Sequence, residues 1–242
     1  MPGYRTQQHT VAIAGEADLV IRALLDQQQH ADPLGTAARL GISSAQWPLF
    51  GLLWPSGAQL AGLLSARLAQ GPAPGGGRIL EVGCGLGLAS LVAHRRGADV
   101  TASDLHPLAG EFLRENLRLN GLPPMAYGHG PWVAPAVAAP GDLHGLFDLI
   151  IGSDLLYERD DDATLATFIV RHAAPDAEVW IVDPGRGNRP AFHRAMAARG
   201  FGVEERLLGP AHRPGRAPAL PGAPAAYRGR LLVYRQQHGG PG

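Results

Sequence analysis

The chain alternates short apolar runs with longer stretches in which apolar residues recur every three to four positions. From residue 78 onward, RILEVG, ADVTAS, FDLIIG and EVWIVD read as short buried strands. Between them LASLVAHRRG, PLAGEFLRENLRLNG and ATLATFIVRHA carry helical spacing. Strands that alternate with helices predict a mostly parallel α/β sheet covered on both faces. A further helix, PAFHRAMAARG, leads to the strands GFGVEERLL and RGRLLVYRQ; no helix separates these two, so an antiparallel edge strand is expected. Pro107 fits a first helical turn and Gly121 a left-handed helix end, while the acids Asp160 to Asp162 suit the start of ATLATFIVRHA.

Upstream, EADLVIRALLDQQQ and GAQLAGLLSARLAQ also show helix-like spacing, and GPAPGGG breaks the pattern. The expected organisation is an N-terminal helical extension over residues 1–77 packed on an α/β domain over residues 78–242. Another Pro- and Gly-rich stretch, within residues 209–226, is expected to be an exposed loop.

Composition narrows the function. At 242 residues and 45% hydrophobic content the chain can bury one medium-sized core. Its 21 basic and 21 acidic residues cancel, so no broad basic face and no nucleic-acid partner are expected. Every basic residue other than histidine is an arginine. A single cysteine, Cys84, excludes an internal disulfide, and the histidines show no ligand spacing, so no metal is expected. The start, MPGYRTQQHT, lacks a signal-peptide pattern, and no apolar run approaches the ~20 residues of a membrane span. A cytoplasmic protein without a membrane partner is the expectation.

The chemistry concentrates in ILEVGCGLG. Gly83, Gly85 and Gly87 follow a strand and open a helix, where backbone can approach a ligand at the carboxyl end of a parallel sheet. A dinucleotide fingerprint needs a small residue where Leu88 stands, and a P-loop needs a lysine. The remaining pattern, E-x-G-x-G-x-G with Asp104 ending the next strand, resembles motif I and the second-strand acid of the seven-strand, class I S-adenosylmethionine-dependent methyltransferases. The resemblance implies a Rossmann-like, doubly wound, seven-stranded sheet and S-adenosyl-L-methionine as cofactor. It places cofactor contacts at Glu81, Gly83, Cys84, Gly85, Gly87, Asp104 and Leu105, with Asp104 accepting from the ribose hydroxyls.

At the exit of the fourth strand, FDLIIGSDLLY carries Ser153, Asp154 and Tyr157. The D-x-x-Y spacing resembles the protein lysine methyltransferases named for a D/E-x-x-Y motif, and WPSGAQLA, from Trp54 to Ala61, resembles the segment before motif I in that family. That resemblance adds Trp54, Trp132 and Ser153 to the cofactor contacts. The family usually has an acid where Pro131 stands, so only the apolar contact of Trp132 carries over. DPGRGNR after the fifth strand looks like bacterial members, and its Arg186 reads either as a solvated loop residue or as a contact for an acidic substrate patch.

The implied activity is methyl transfer to a lysine amine of a protein partner. Asp154 would hold the amine, and Tyr157 would align it through its ring face or hydroxyl. Two alternatives stay open: a small-molecule amine as acceptor, and a module that binds S-adenosylmethionine without catalysis.

Overall fold

The computed structural model describes residues 3–71, 77–133, 141–209 and 227–237. The two Pro- and Gly-rich stretches expected as a breaker and a loop fall largely outside them. The chain opens with a hairpin, β1 (Thr6–Val11) and β2 (Leu19–Leu24), paired antiparallel. A one-turn helix, α1 (Thr36–Arg39), and a 3-10 turn over Trp47–Gly51 lead to α2 (Pro55–Leu68). The α/β alternation then runs β3 (Ile79–Val82), α3 (Leu88–Arg95), β4 (Val100–Asp104), α4 (Ala109–Leu119) and β5 (Ala126–His129). It continues with β6 (Phe147–Ser153), α5 (Thr164–His172), β7 (Ala173–Asp183), α6 (Arg189–Ala197), β8 (Phe201–Leu208) and β9 (Gly229–Gln236).

Seven strands form one sheet in the order β5-β4-β3-β6-β7-β9-β8. Pairing is parallel from β5 to β7, and β9 lies antiparallel between β7 and the outermost strand, β8. Both faces are apolar, as a sheet covered on two sides requires. Ile79, Leu149, Ile151, Trp180, Val182, Leu231 and Val233 share one core with α2, α3 and α4. The residues between them, Leu80, Ile150, Val179, Ile181, Leu232 and Tyr234, point into a second core with α5 and α6. The order reverses at the β3/β6 pair, so the carboxyl ends of β3, β4 and β6 flank the topological switch point where open α/β sheets bind ligands.

Helix ends follow the expected chemistry with one shift. Gly121, at φ 64°, closes α4 as its amide bonds to Arg118 O and that of Leu122 to Leu117 O. Pro107 lies in the turn before α4, outside its first turn. Of the acidic cluster, Asp160 receives the N–H groups of Thr164 and Leu165 at 2.8 and 3.0 Å.

The N-terminal region departs from expectation. α2 forms as the pattern predicts, but EADLVIRALLDQQQ contains strand β2 in place of a helix. Over Leu19–Leu24 the buried positions Leu19, Ile21 and Ala23 alternate with Val20 and Arg22, a period of two with the β-branched Val20 and Ile21 at its centre. Its partner β1, TQQHTV, is too polar to announce itself as a strand.

What fixes the hairpin is helix α4. Asn120 exchanges hydrogen bonds with the Val20 backbone at 2.9 and 2.8 Å, and Asn116 accepts the Arg22 N–H at 2.8 Å. Asn116 is fully buried, and its amide also donates to the Leu86 carbonyl in the glycine loop, at 3.2 Å. One side chain thus joins hairpin, helix and loop. No helix among the described residues is long and apolar enough to cross a membrane.

Asn116→Ala leaves the Arg22 amide and the Leu86 carbonyl without these partners. A loss of about 1 to 3 kcal/mol in unfolding free energy is expected by denaturant titration. A change below a few tenths of a kcal/mol would show that the hairpin docks independently of Asn116.

Candidate functional site

β3 ends in Val82, and Gly83, Gly85 and Gly87 then carry the chain through φ values of 58°, 52° and 75° before α3 begins. At all three a Cβ would also stand under 3.0 Å from a neighbouring atom. A Cβ on Gly83 would stand 2.5 Å from Leu155 Cδ2, and one on Gly85 would stand 2.8 Å from the Phe50 carbonyl oxygen. The segment before α2 therefore passes directly over the glycine loop, and the exit of β6 packs directly beneath it.

That exit is shaped by Asp154, whose φ of 56° is a left-handed conformation that aspartate tolerates better than most residues. Its N–H still bonds to Val182 O at 2.9 Å, extending the β6/β7 ladder by one rung. The turn drives Leu155 and Leu156 into the core and leaves the carboxylate on a cleft of about 680 Å³.

The cleft lies at the carboxyl ends of β3, β4 and β6. Its walls include Trp54, Glu81, Gly83, Cys84, Gly85, Asp104, Leu105, Trp132, Ser153, Asp154 and Tyr157. Of the residues expected from sequence, Gly87 alone stands back from the wall, beneath Leu113. Phe50, His106, Leu155 and Arg186 also line the cleft; of these only Arg186 had been singled out as a candidate contact.

Asp104 accepts the Gly85 N–H on one oxygen and the His106 N–H on the other, each at 2.8 Å. Burial pushes its carboxyl above the ordinary range, and these two donors oppose the shift. Two acceptor positions remain for a ligand. His106 stacks on Phe50 with centroids 3.7 Å apart, and its Nδ1 accepts the Leu108 N–H at 3.2 Å. Burial lowers its pKa to about 3, so the ring is neutral. The Trp54 indole donates to Leu49 O at 2.9 Å, which turns its ring toward the cleft.

Glu81 is buried and accepts both the N–H and the hydroxyl of Ser90 in the first turn of α3, which makes it a brace for that helix. Burial is the main cause that pushes its pKa up to about 7, with Asp104 adding to it and the Ser90 bonds opposing. Cys84 is buried and its thiol is pushed up by the same desolvation, which keeps it protonated. Partial burial, then Glu158, Asp104 and Asp154, push the Tyr157 phenol up to about 12, so its hydroxyl keeps its proton near neutrality.

Arg186 is the residue whose place sequence did not foretell. Its Nε meets Asp154 Oδ1 at 2.9 Å and its second nitrogen meets Oδ2 at 3.3 Å, a two-pronged ion pair on the cleft wall. The Asp154 side chain is 9% exposed and that of Arg186 is 40% exposed.

A family model described as lysine methyltransferase matches residues 48–189, more than half of the chain. The chain belongs to the lysine methyltransferase family. Relatives include the electron transfer flavoprotein beta subunit lysine methyltransferase of Xenopus laevis, 33% identical over 57% of this chain and 53% of that protein. The human histone-arginine methyltransferase METTL23 is 29% identical over 53% of this chain and 67% of its own length. The chain spans about half the length of the first of these curated relatives. Among solved structures, the magnesium protoporphyrin IX methyltransferase of Synechocystis PCC 6803 with bound SAM superposes with a TM-score of 0.51 at 14% identity, over 75% of this chain and 78% of that one. This last likeness concerns the fold, and it is the seven-stranded one expected for this family.

Because Glu81 binds its proton more tightly when folded, its contribution to stability is complete below its ordinary value of 4.5 and is lost as pH rises through about 7. Glu81→Gln should therefore gain on the native chain as pH rises, by up to about 3 kcal/mol between pH 4 and pH 8. Thermal unfolding of both proteins across that range checks it. A gap that does not vary with pH would mean that Glu81 ionises alike in folded and unfolded chains.

Proposed function

We propose that the chain is an S-adenosylmethionine-dependent methyltransferase that modifies a lysine side chain of a protein. The observation that carries this reading is the convergence of two sets of residues in one cleft. Asp104 and the glycine loop stand on one side, and Ser153, Asp154 and Tyr157 on the other. Family membership and relatives named for lysine methylation support it.

The cleft has the features that cofactor needs. Its hydroxyl-bearing ribose requires an acceptor, and Asp104 has free lone pairs there. Its methionine part requires close backbone, and Gly83 and Gly85 line the cleft with backbone alone. Trp54, Leu105 and Trp132 supply apolar walls, Ser153 and Cys84 complete the floor, and Glu81 holds α3 in place behind them.

The bound cofactor supplies an electrophilic methyl group on a positively charged sulfur. The protein's part is positioning and electrostatics. Asp154 accepts hydrogen bonds from the acceptor amine and so holds it in place. Tyr157, protonated and 43% exposed, offers the amine a ring face or a hydroxyl at the cleft mouth.

Arginine is the second reading for the acceptor. One relative is named for arginine, and Asp154 already seats a guanidinium, that of Arg186.

The test incubates the purified chain with methyl-labelled S-adenosylmethionine and soluble protein from its own host, followed by electrophoresis and acid hydrolysis. The chain has no lysine, so labelled methyl-lysine must come from another protein. A discrete band that yields methyl-lysine is expected. Methyl-arginine from a host band would favour the second reading, and label confined to small molecules would overturn both.

Asp104→Ala is expected to weaken S-adenosylmethionine binding by about 1 to 3 kcal/mol, measured by calorimetry. Undiminished affinity would remove Asp104 from the ribose site.

A further inference from the structure

Arg186 faces a problem that the proposed reaction creates. A lysine amine has a reference pKa of about 10.4, and a lone carboxylate at hydrogen-bond distance raises it further. Asp154 can orient the amine, but by itself it would also hold the amine in the protonated form, which has no lone pair to attack with. The carboxylate is nearly buried, which strengthens the effect.

The other charged groups around the cleft have hydrogen-bond partners of their own. At the end of β7, Asp183 is buried; it accepts the Gly185 and Arg186 backbone N–H groups at 3.1 and 3.2 Å and faces Arg189 at 3.6 Å, which makes a second ion pair. Glu158 on the rim accepts from the Gln46 amide at 2.6 Å. The phenols of Tyr157 and Tyr227 are both raised, chiefly by burial, so they stay neutral. Tyr227 is held by Ser56 at 3.0 Å. Across the cleft, Asp104 is turned onto Gly85 and His106. Among the described residues, Arg186 is the cation in contact with Asp154.

We propose that Arg186 is a positioning residue that acts through Asp154, cancelling its charge while leaving its geometry, so that the acceptor amine can shed a proton before methyl transfer. The inference rests on the methyltransferase reading above. An ionised carboxylate has about four lone-pair positions, and the two-pronged pair uses two of them, which leaves two for the amine. The amine releases its proton to solvent, and its nitrogen lone pair then forms the bond to the methyl carbon. The carbon–sulfur bond breaks with its electron pair kept by sulfur. The sulfonium becomes a neutral thioether, and nitrogen carries the positive charge as a methylammonium.

Arg186→Met and Arg186→Lys test this. The host-protein labelling reaction, followed as the initial rate on the labelled band from pH 6.5 to 10, should show Arg186→Met about tenfold slower than wild type at pH 7. The gap should close at high pH, because the acid limb moves up by about one unit when the compensating cation is lost. Arg186→Lys, which keeps the charge, should keep the limb in its wild-type position. S-adenosylmethionine affinity by calorimetry should be the same in all three. Independently of turnover, the Arg186 Nε–H resonance should exchange slowly in the wild type and lose that protection in Asp154→Asn.

A rate deficit that is equal at every pH would overturn the proposal and leave Arg186 a structural or substrate contact. Faster labelling by Arg186→Met at every pH would also overturn it, since Arg186 would then be a plug that the acceptor must displace. If the wild type labels nothing, the methyltransferase reading fails and the inference with it, whereas a protected Arg186 resonance would still show that the pair exists.

Discussion

Leu155 is the contact on which the site depends. It fills the space that side chains at Gly83 and Gly152 would occupy, with its two methyl carbons each 2.5 Å from where a Cβ would stand. The glycine loop after β3 and the turn after β6 are thereby packed on one another through a single buried leucine. Burial of such a side chain contributes about 1.5 to 3 kcal/mol, but its larger effect is geometric. It fixes the distance between the loop that would face the cofactor and the carboxylate that would face the acceptor. The left-handed backbone at Asp154 is what aims Leu155 inward and the carboxylate outward at consecutive positions.

Around that contact the fold solves a second constraint, which is to keep several largely buried acids at one cleft. Each is handled differently. Glu81 is braced by Ser90 and has a raised pKa, Asp104 is satisfied by two backbone donors, and Asp154 is paired with a guanidinium. Burying a charge without such partners costs several kcal/mol, so each partner is part of the site's stability as well as of its chemistry. The N-terminal segment contributes from above. The Phe50 carbonyl closes over Gly85, and Phe50 stacks on His106, so the region before α2 forms one wall of the cleft.

The hairpin β1–β2 is part of the same arrangement. It docks on α4 through Asn116 and Asn120, and Asn116 reaches on to the glycine loop. A fold shared with enzymes of unrelated substrates says little about the acceptor. The features that shape the acceptor side of this cleft are the Asp154–Arg186 pair and the N-terminal wall.

The sequence by itself determined the β/α alternation, the position of the glycine loop, the strand-end acid Asp104 and the D-x-x-Y turn. These rest on local periodicity and on residue types with few structural substitutes. Periodicity failed at Leu19–Leu24, where a short, mostly apolar stretch fits either helix or strand and the choice is made by pairing with β1 and by the side chains of α4. The antiparallel strand was legible, but its place between β7 and β8 was not, because strand order is a long-range property. Only the tertiary structure could bring Arg186 to Asp154 across 32 positions of chain. Nothing in the local pattern distinguishes a loop arginine in water from one that neutralises a buried carboxylate; the difference is made by the β6/β7 pairing that sets their two loops side by side.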